Sequence, residues 1–167
     1  DPVSTCFDMI YEEGMFIHGV HHTMSEDDVK TVMQVPWISI GSDGSALNQK
    51  YPGKPHPRSF GTNPRVLGKY TREEKVLQLE DAIRKMTSLP AQVLGLKDRG
   101  LLREGYWADV VVFDPDTVAD TATYDNPKQY PRGIDYVLVN GTVVIESGHH
   151  TGARPGNVIY GPGKASA

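Results

Sequence analysis

The chain has 167 residues, of which 38% are hydrophobic and 23% are charged, a composition typical of a globular protein. Its net charge of −4 argues against a basic surface for nucleic acid, and no apolar run approaches the roughly 20 residues that span a bilayer. The single cysteine excludes an internal disulfide and an all-cysteine zinc site, and with no signal peptide visible we expect a cytoplasmic protein without nucleic-acid or membrane partners.

The first 44 residues alternate between predicted helices and predicted strands. Asp1, which precedes a proline, and Ser25 are both good residues for the start of a helix. The apolar residues 15–20 and 37–40 follow these two helices and predict two short buried strands. This alternation is typical of a parallel α/β sheet, but two strands cannot form such a sheet alone. The first part of the chain therefore resembles an incomplete sheet.

The middle of the chain predicts a stiff loop followed by two helices. Residues 45–64 contain four prolines and are predicted to form a long extended loop. Thr71 begins a capping-box pattern, which predicts an amphipathic helix that continues to about Thr87. Ser88 then starts a short helix that Gly95 ends.

The last part of the chain predicts a small antiparallel sheet. Its three predicted strands cover residues 109–114, 134–139 and 142–145. Asn140 and Gly141 separate the last two strands, and Asn-Gly is the strongest short-range signal for a hairpin turn. We place a domain boundary near residues 97–105, which gives domains at 1–97 and 98–167.

Asp43 is the first candidate for a chemical role. It directly follows the predicted strand at residues 37–40, and ligands of α/β folds bind at the carboxyl ends of strands. A carboxylate at that position can bind a cation or act as a general base. The alternative is an aspartate that only caps its Gly-Ser-Asp-Gly turn, and the local sequence favours this alternative.

The sequence His56-Pro57-Arg58 in the proline-rich loop is the second candidate. The planar guanidinium of an arginine can hold a carboxylate through two parallel hydrogen bonds. Neighbouring prolines restrict the loop and reduce the entropy lost when the side chain is fixed. The alternative is an ordinary solvated arginine, which is the more common case.

The remaining histidines and the cysteine give weaker signals. The histidines form two close groups: His18, His21 and His22, and His149 with His150. The first group has a spacing that invites a zinc interpretation, but its extended context favours hydrogen-bonded histidines at a strand end. The second group allows a metal pair, although an exposed loop is favoured. Cys6 lies beside the apolar stripe of the first helix, so we expect it to be half-buried.

Several segments of the chain resemble the N-acyl-D-amino-acid deacylases, or D-aminoacylases, of the amidohydrolase superfamily. The resemblance is most specific at His-Pro-Arg, residues 56–58, and at Pro-Arg-Val-Leu-Gly, residues 64–68. Segments that amidohydrolases share more widely are Ala-Asp-Val-Val-Val-Phe-Asp at residues 108–114 and Val-Asn-Gly at residues 139–141. The similarity extends over almost the entire chain.

This resemblance implies an α/β fold: the C-terminal part of a (β/α)₈ metal-dependent hydrolase barrel, followed by the C-terminal strands of a small β-sandwich domain. A complete barrel needs roughly 250 residues, so 167 residues can hold only its last part. Residues 1–97 would be the last strands and helices of the barrel, and residues 98–167 would belong to the small β-domain. The missing N-terminal part of the enzyme is then a necessary partner.

The resemblance also implies an activity, which is zinc-dependent hydrolysis of N-acyl-D-amino acids or D-dipeptides. Asp43 matches the family aspartate that contacts the metal, orients the attacking water and shuttles its proton. Arg58 matches the arginine that pairs with the α-carboxylate of the substrate, and His56 lies beside it in the same motif. Most zinc ligands would lie outside this chain.

Two alternatives remain open at this point. One is another amidohydrolase, such as a hydantoinase-like cyclic amidase, whose cyclic substrate has no free carboxylate for the His-Pro-Arg loop to bind. The other is a non-catalytic fragment, or a subunit that needs a partner chain, because the faces that pack inside a barrel would be exposed in isolation.

Overall fold

The computed structural model describes residues 1–14 and 23–160 and has a mixed α/β fold. Its helices are α1 Pro2–Glu12, α2 Glu26–Gln34, α3 Arg58–Arg65, a π-helical segment Val66–Glu73, α4 Leu79–Met86 and α5 Ser88–Val93. Its strands are β1 Val110–Phe113, β2 Ile134–Val139, β3 Thr142–Glu146 and β4 His149–His150. The predicted strand at residues 15–20 and the histidines His18, His21 and His22 lie outside the described residues. Within those residues, no helix is long and apolar enough to cross a membrane.

Both predicted helix starts are confirmed by their capping hydrogen bonds. The Asp1 carboxylate accepts hydrogen bonds from the backbone N–H groups of Val3 and Ser4. The Ser25 hydroxyl accepts one from the backbone N–H of Asp27 at 3.2 Å. The prediction for Cys6 is wrong, because this side chain is exposed. None of the residues of α1 is buried, so no other described element packs on this helix closely enough to cover Cys6.

The predicted strand at residues 37–40 is also wrong. Residues 38–40 pair with no other strand in the described parts of the chain, where the only sheet contains β1 to β4. Instead, the backbone N–H of Ile38 donates to the carbonyl of Val35 at 3.2 Å, and the backbone N–H of Ile40 donates to the carbonyl of Lys85 in α4 at 3.0 Å. A parallel strand needs neighbouring strands to complete its ladder, and an apolar run cannot supply them by itself.

The predicted loop at residues 45–64 ends earlier than its prolines suggest. Helix α3 begins at Arg58, and Pro64 lies inside the helix. The chain continues as a π-helix through Thr71, so the predicted helix start at Thr71 is wrong and α4 begins at Leu79. Burial explains this difference, because the π-helical segment contributes Val66 and Tyr70 to the core together with Met33 from α2 and Ala82 from α4.

The predicted antiparallel sheet is confirmed, with one additional strand. The sheet has the order β1-β2-β3-β4, and all of its neighbouring strands are antiparallel. The turn between β2 and β3 has positive φ angles at Asn140 and Gly141, 49° and 80°, as the Asn-Gly pair predicts. His149 and His150 form β4 rather than a loop, and both are exposed. Their register against β3, with Ile145 opposite His150, places them on the sheet edge.

The segment between β1 and β2 packs against the helices. The Arg72 side chain, from the π-helical segment, donates to the carbonyl oxygens of Pro115 and Val118 at 3.1 and 2.6 Å. Gly68 comes so close to Val118 that an added Cβ would lie 2.7 Å from the Val118 carbonyl oxygen. These contacts bring residues 118–124 beside α3, where Asp120 and residues 122–124 form one wall of the cavity described next.

Candidate active site

Asp43 lies in a turn that packs tightly on the start of α3. Its backbone is in the left-handed region, with a φ of 47°, which aspartate and asparagine tolerate better than most residues. An added Cβ on Gly44 would lie 2.9 Å from both the Arg58 carbonyl oxygen and the Ser59 Cα, so only glycine permits this approach. The Ser45 backbone N–H also donates to the Ser59 hydroxyl at 3.2 Å. The turn therefore holds Asp43 beside the first residues of α3.

The structure brings the two main sequence candidates into contact. Arg58 Nη1 lies 3.0 Å from Asp43 Oδ2. The Asp43 side chain is 82% exposed and the Arg58 side chain 45%, so water screens this ion pair. Exposed pairs of this kind contribute about 0–1 kcal/mol to stability. The packed turn, rather than the ion pair, fixes the two groups, and both remain accessible to a ligand.

Both ring nitrogens of His56 have hydrogen-bond partners. Its Nδ1 accepts a hydrogen bond from the backbone N–H of Arg58 at 3.0 Å, and its Nε2 lies 3.1 Å from the Tyr124 hydroxyl. The two aromatic rings meet edge to face, with centroids 5.1 Å apart. Burial and the positive charge of Arg58 lower the pKa of His56, and the Asp43 carboxylate opposes this only in part. A neutral ring suits the geometry, because Nδ1 must be unprotonated to accept from the Arg58 N–H.

Residues 124–128 support the proline-rich loop at more than one point. The Lys128 amino group donates to the Tyr51 carbonyl at 2.8 Å, and the Gln49 side chain donates to the Lys128 carbonyl at 3.2 Å. Together with the contact between Tyr124 and His56, these bonds join two stretches of chain that are 68 to 79 residues apart in sequence. The supporting role of Tyr124 was missed by the sequence analysis, since no local pattern encodes so distant a contact.

His56 and Arg58 line a cavity of about 770 Å³, which lies between α2, α3 and residues 120–124. Such a volume is sufficient for a small organic ligand. Val29, Val32 and Met33 of α2 give one wall an apolar character. Arg65 also lines the cavity, but its guanidinium is already paired with Asp120 at 2.9 Å. Arg58 is thus the cavity arginine whose carboxylate partner is largely exposed and can be exchanged for a ligand.

The described residues do not form a metal site by themselves. Among residues 1–14 and 23–160, no three His, Cys, Asp or Glu side chains lie close enough together to hold a metal ion. His149 and His150, on the sheet edge, belong to no such group. The exposed Asp43 carboxylate is a suitable oxygen ligand, but zinc in proteins is commonly held by three or four protein ligands. A zinc site that used this carboxylate would therefore need its other ligands from elsewhere in the protein.

Comparison with known proteins places this geometry in context. Residues 2–145 match the model of the amidohydrolase family. The chain is 46% identical over 140 residues to an N-acyl-D-glutamate deacylase of Alcaligenes xylosoxydans xylosoxydans, a match that covers 84% of this chain and 28% of that protein. It therefore spans about 28% of the length of this curated relative.

Solved structures give the same relationship. A crystal structure of a D-aminoacylase matches with a TM-score of 0.72 and 46% identity, covering 78% of this chain and 27% of that one. An N-acyl-D-glutamate deacylase from Bordetella bronchiseptica, in complex with zinc and a phosphonate that mimics the tetrahedral intermediate, matches with a TM-score of 0.66 and 52% identity. That match covers 72% of this chain and 25% of the other chain.

Proposed function

This chain belongs to the amidohydrolase family, and from that membership we propose that it supplies the C-terminal part of a zinc-dependent deacylase acting on N-acyl-D-amino acids or D-dipeptides. The observation that carries the proposal is the placement of an accessible carboxylate, Asp43, 3.0 Å from an accessible guanidinium, Arg58, beside a cavity of about 770 Å³. Residues 1–97 are then the last elements of a (β/α)₈ barrel, and residues 98–167 belong to a small β-sandwich domain.

Arg58 binds the α-carboxylate of the substrate in this proposal. A carboxylate ligand replaces the exposed Asp43 carboxylate as the partner of the guanidinium, which requires no buried ion pair to be broken. His56 fixes the backbone of Arg58 through its Nδ1, and Tyr124 fixes the ring of His56. These bonds reduce the freedom of the loop before the substrate arrives, and a preorganised site loses less entropy on binding.

Asp43 transfers the proton that amide hydrolysis has to move. Zinc, when bound, lowers the pKa of a coordinated water towards about 7. Asp43 accepts a proton from the water as its oxygen attacks the amide carbonyl, and later donates that proton to the nitrogen as the C–N bond breaks. One proton of the water reaches the nitrogen through Asp43, and the second leaves the new carboxylic acid and protonates the released amine. The products are therefore a carboxylate from the acyl group and the ammonium group of a D-amino acid, so atoms and charges balance.

Turnover by the complete enzyme that contains these residues tests the proposal. We expect hydrolysis of N-acetyl-D-amino acids, no hydrolysis of the L-enantiomers, and loss of activity when zinc is removed with a chelator. A cyclic amidase predicts the opposite preference, with hydantoins or dihydropyrimidines hydrolysed and linear N-acyl-D-amino acids left intact. That result would reject linear N-acyl-D-amino acids as the substrates and favour cyclic amides.

The 167-residue chain alone is expected to have no deacylase activity and to bind zinc only weakly. One carboxylate cannot supply the ligands of a catalytic zinc site, and the described residues hold no cluster of three His, Cys, Asp or Glu side chains that could bind a metal ion. Isothermal titration with zinc and an assay with N-acetyl-D-methionine measure both properties. Submicromolar zinc affinity together with turnover by the purified chain would show that the site is complete within these residues.

Replacing Tyr124 by Phe is expected to raise KM for an N-acyl-D-amino acid about 3- to 10-fold and to change kcat little. The change removes one hydrogen bond to His56, and a bond of this kind is worth about 0.5–1.5 kcal/mol. Steady-state kinetics measure the effect. Tyr136→Phe, at an exposed tyrosine of β2 outside the cavity lining, is the matched control. Equal KM values for Tyr124→Phe and wild type would remove Tyr124 from the support of the loop.

A further inference from the structure

Lys85 of α4 is a charged side chain in an unusual place. It is one of the largest fully buried side chains of the described structure, with no exposed surface. Burying an amino group is costly unless its N–H donors find partners. Its Nζ donates to the carbonyl oxygens of Val35 and Ile38, the latter at 3.1 Å, and Asp81 Oδ2 lies 4.0 Å away. Lys85 therefore has defined partners, and two of them are backbone groups of the segment that leads to Asp43.

Lys85 forms a third hydrogen bond with the segment before Asp43, this time through its backbone. The Lys85 carbonyl accepts a hydrogen bond from the backbone N–H of Ile40 at 3.0 Å. Residues 35–40 thus have three hydrogen bonds to one residue, and they have no strand partners in the described parts of the chain. Asp43 follows Ile40 by only three residues. From the other side, the Asp43 turn is fixed by Gly44 and Ser45 against the start of α3.

We propose that Lys85 is a positioning residue for Asp43, acting through residues 35–40, whose backbone it holds at Val35, Ile38 and Ile40. The inference rests on the proposed function only for the role of Asp43 in turnover. The three hydrogen bonds between Lys85 and residues 35–40, called the clamp below, are observed in the structure and do not depend on that function. The alternative is that Lys85 only fills space in the core. In that case, a hydrophobic side chain of the same length would replace it without loss.

Lys85→Met separates these two roles, because methionine keeps the length of the side chain and removes its donors. In the complete enzyme, we expect kcat to fall about 10- to 100-fold, the effect typical of small misplacement of a reacting group, while KM changes less than about 3-fold. KM changes less than kcat because Arg58, which binds the substrate carboxylate, is held by α3 and His56, whereas Ile38 and Ile40 contribute only apolar surface to the cavity. Met86→Ala, at a neighbouring half-buried core residue, is the matched control for lost packing in the same helix.

Two further measurements distinguish a clamp from general destabilisation. Propylammonium, which has the size of the atoms removed in Lys85→Ala, is expected to restore part of kcat in that variant and none in Met86→Ala. Hydrogen exchange of the Ile40 amide and of residues 41–44 is expected to quicken in Lys85→Met well beyond its change in Met86→Ala. The exchange experiment needs no turnover, so it also decides the matter if the complete enzyme fails to hydrolyse N-acyl-D-amino acids.

The proposal is overturned if Lys85→Met and Met86→Ala lose activity in equal proportion to their loss of thermal stability, or if exchange at residues 40–44 is the same in both. An inactive wild-type enzyme with the expected exchange pattern would reject the proposed function and retain the clamp. Normal turnover by wild type, with unchanged exchange in Lys85→Met, would retain the proposed function and reject the clamp.

Discussion

Replacing Asp43 by Asn in the complete enzyme is expected to lower kcat by about 10²- to 10⁴-fold, the range that a positioned acid or base contributes. An amide oxygen accepts hydrogen bonds, but an amide cannot take up a proton from the attacking water or return one to the leaving nitrogen. Asparagine has nearly the same shape as aspartate and tolerates the left-handed φ of 47° at this position, so the turn is expected to persist. Alanine would be a poorer choice, because it disfavours this φ.

Stability is expected to change little in Asp43→Asn. The carboxylate is 82% exposed and its only described ion pair, with Arg58, is screened by water. Glu73→Gln is a matched control, because Glu73 also forms a solvent-exposed pair with an arginine at 3.0 Å and does not line the cavity. Steady-state kinetics and thermal melting of both variants measure the two effects. Near-normal kcat in Asp43→Asn would remove the carboxylate from proton transfer.

Local signals in the sequence predicted the elements whose causes are local. The helix start at Ser25 depends on a hydrogen bond between residues two positions apart, and the hairpin depends on two consecutive positive φ angles at Asn140 and Gly141. The predicted strand at residues 37–40 failed for the opposite reason. Its apolar pattern predicts burial, yet Trp37 is 76% exposed and residues 38–40 are only half-buried. The choice between a strand and an unpaired segment depends on neighbours far away in sequence.

The site shows the same division. Asp43 and Arg58 could be singled out from the sequence through their motifs, and the structure adds that their charged groups lie 3.0 Å apart. Tyr124 and Lys85 could not be found in this way. Tyr124 meets His56 across 68 residues of sequence, and Lys85 meets the carbonyl oxygens of residues 35 and 38 across 50 and 47 residues. Surface tyrosines and helical lysines are common, so only the tertiary contact distinguishes these two.

Replacing Arg58 by Ala is expected to raise KM for N-acyl-D-amino acids about 30- to 5000-fold, with a much smaller change in kcat. Removing one partner of a hydrogen-bonded charge pair typically costs about 2–5 kcal/mol, which corresponds to this range. Lysine at the same position keeps the charge but loses the planar pair of donors, so Arg58→Lys is expected to have an intermediate KM. Steady-state kinetics of the complete enzyme measure all three proteins.

A substrate without the carboxylate isolates this effect from the loss of the contact with Asp43. Wild type should discriminate strongly between an N-acetyl-D-amino acid and its neutral primary amide, because only the former pairs with the guanidinium. Arg58→Ala should hydrolyse the two with similar kcat/KM, since the group that distinguishes them is gone. Arg103→Ala, at an arginine outside the cavity lining, should keep the wild-type preference. If Arg58→Ala still prefers the charged substrate as strongly as wild type, the carboxylate is bound by another residue, and Arg58 serves only as the partner of Asp43.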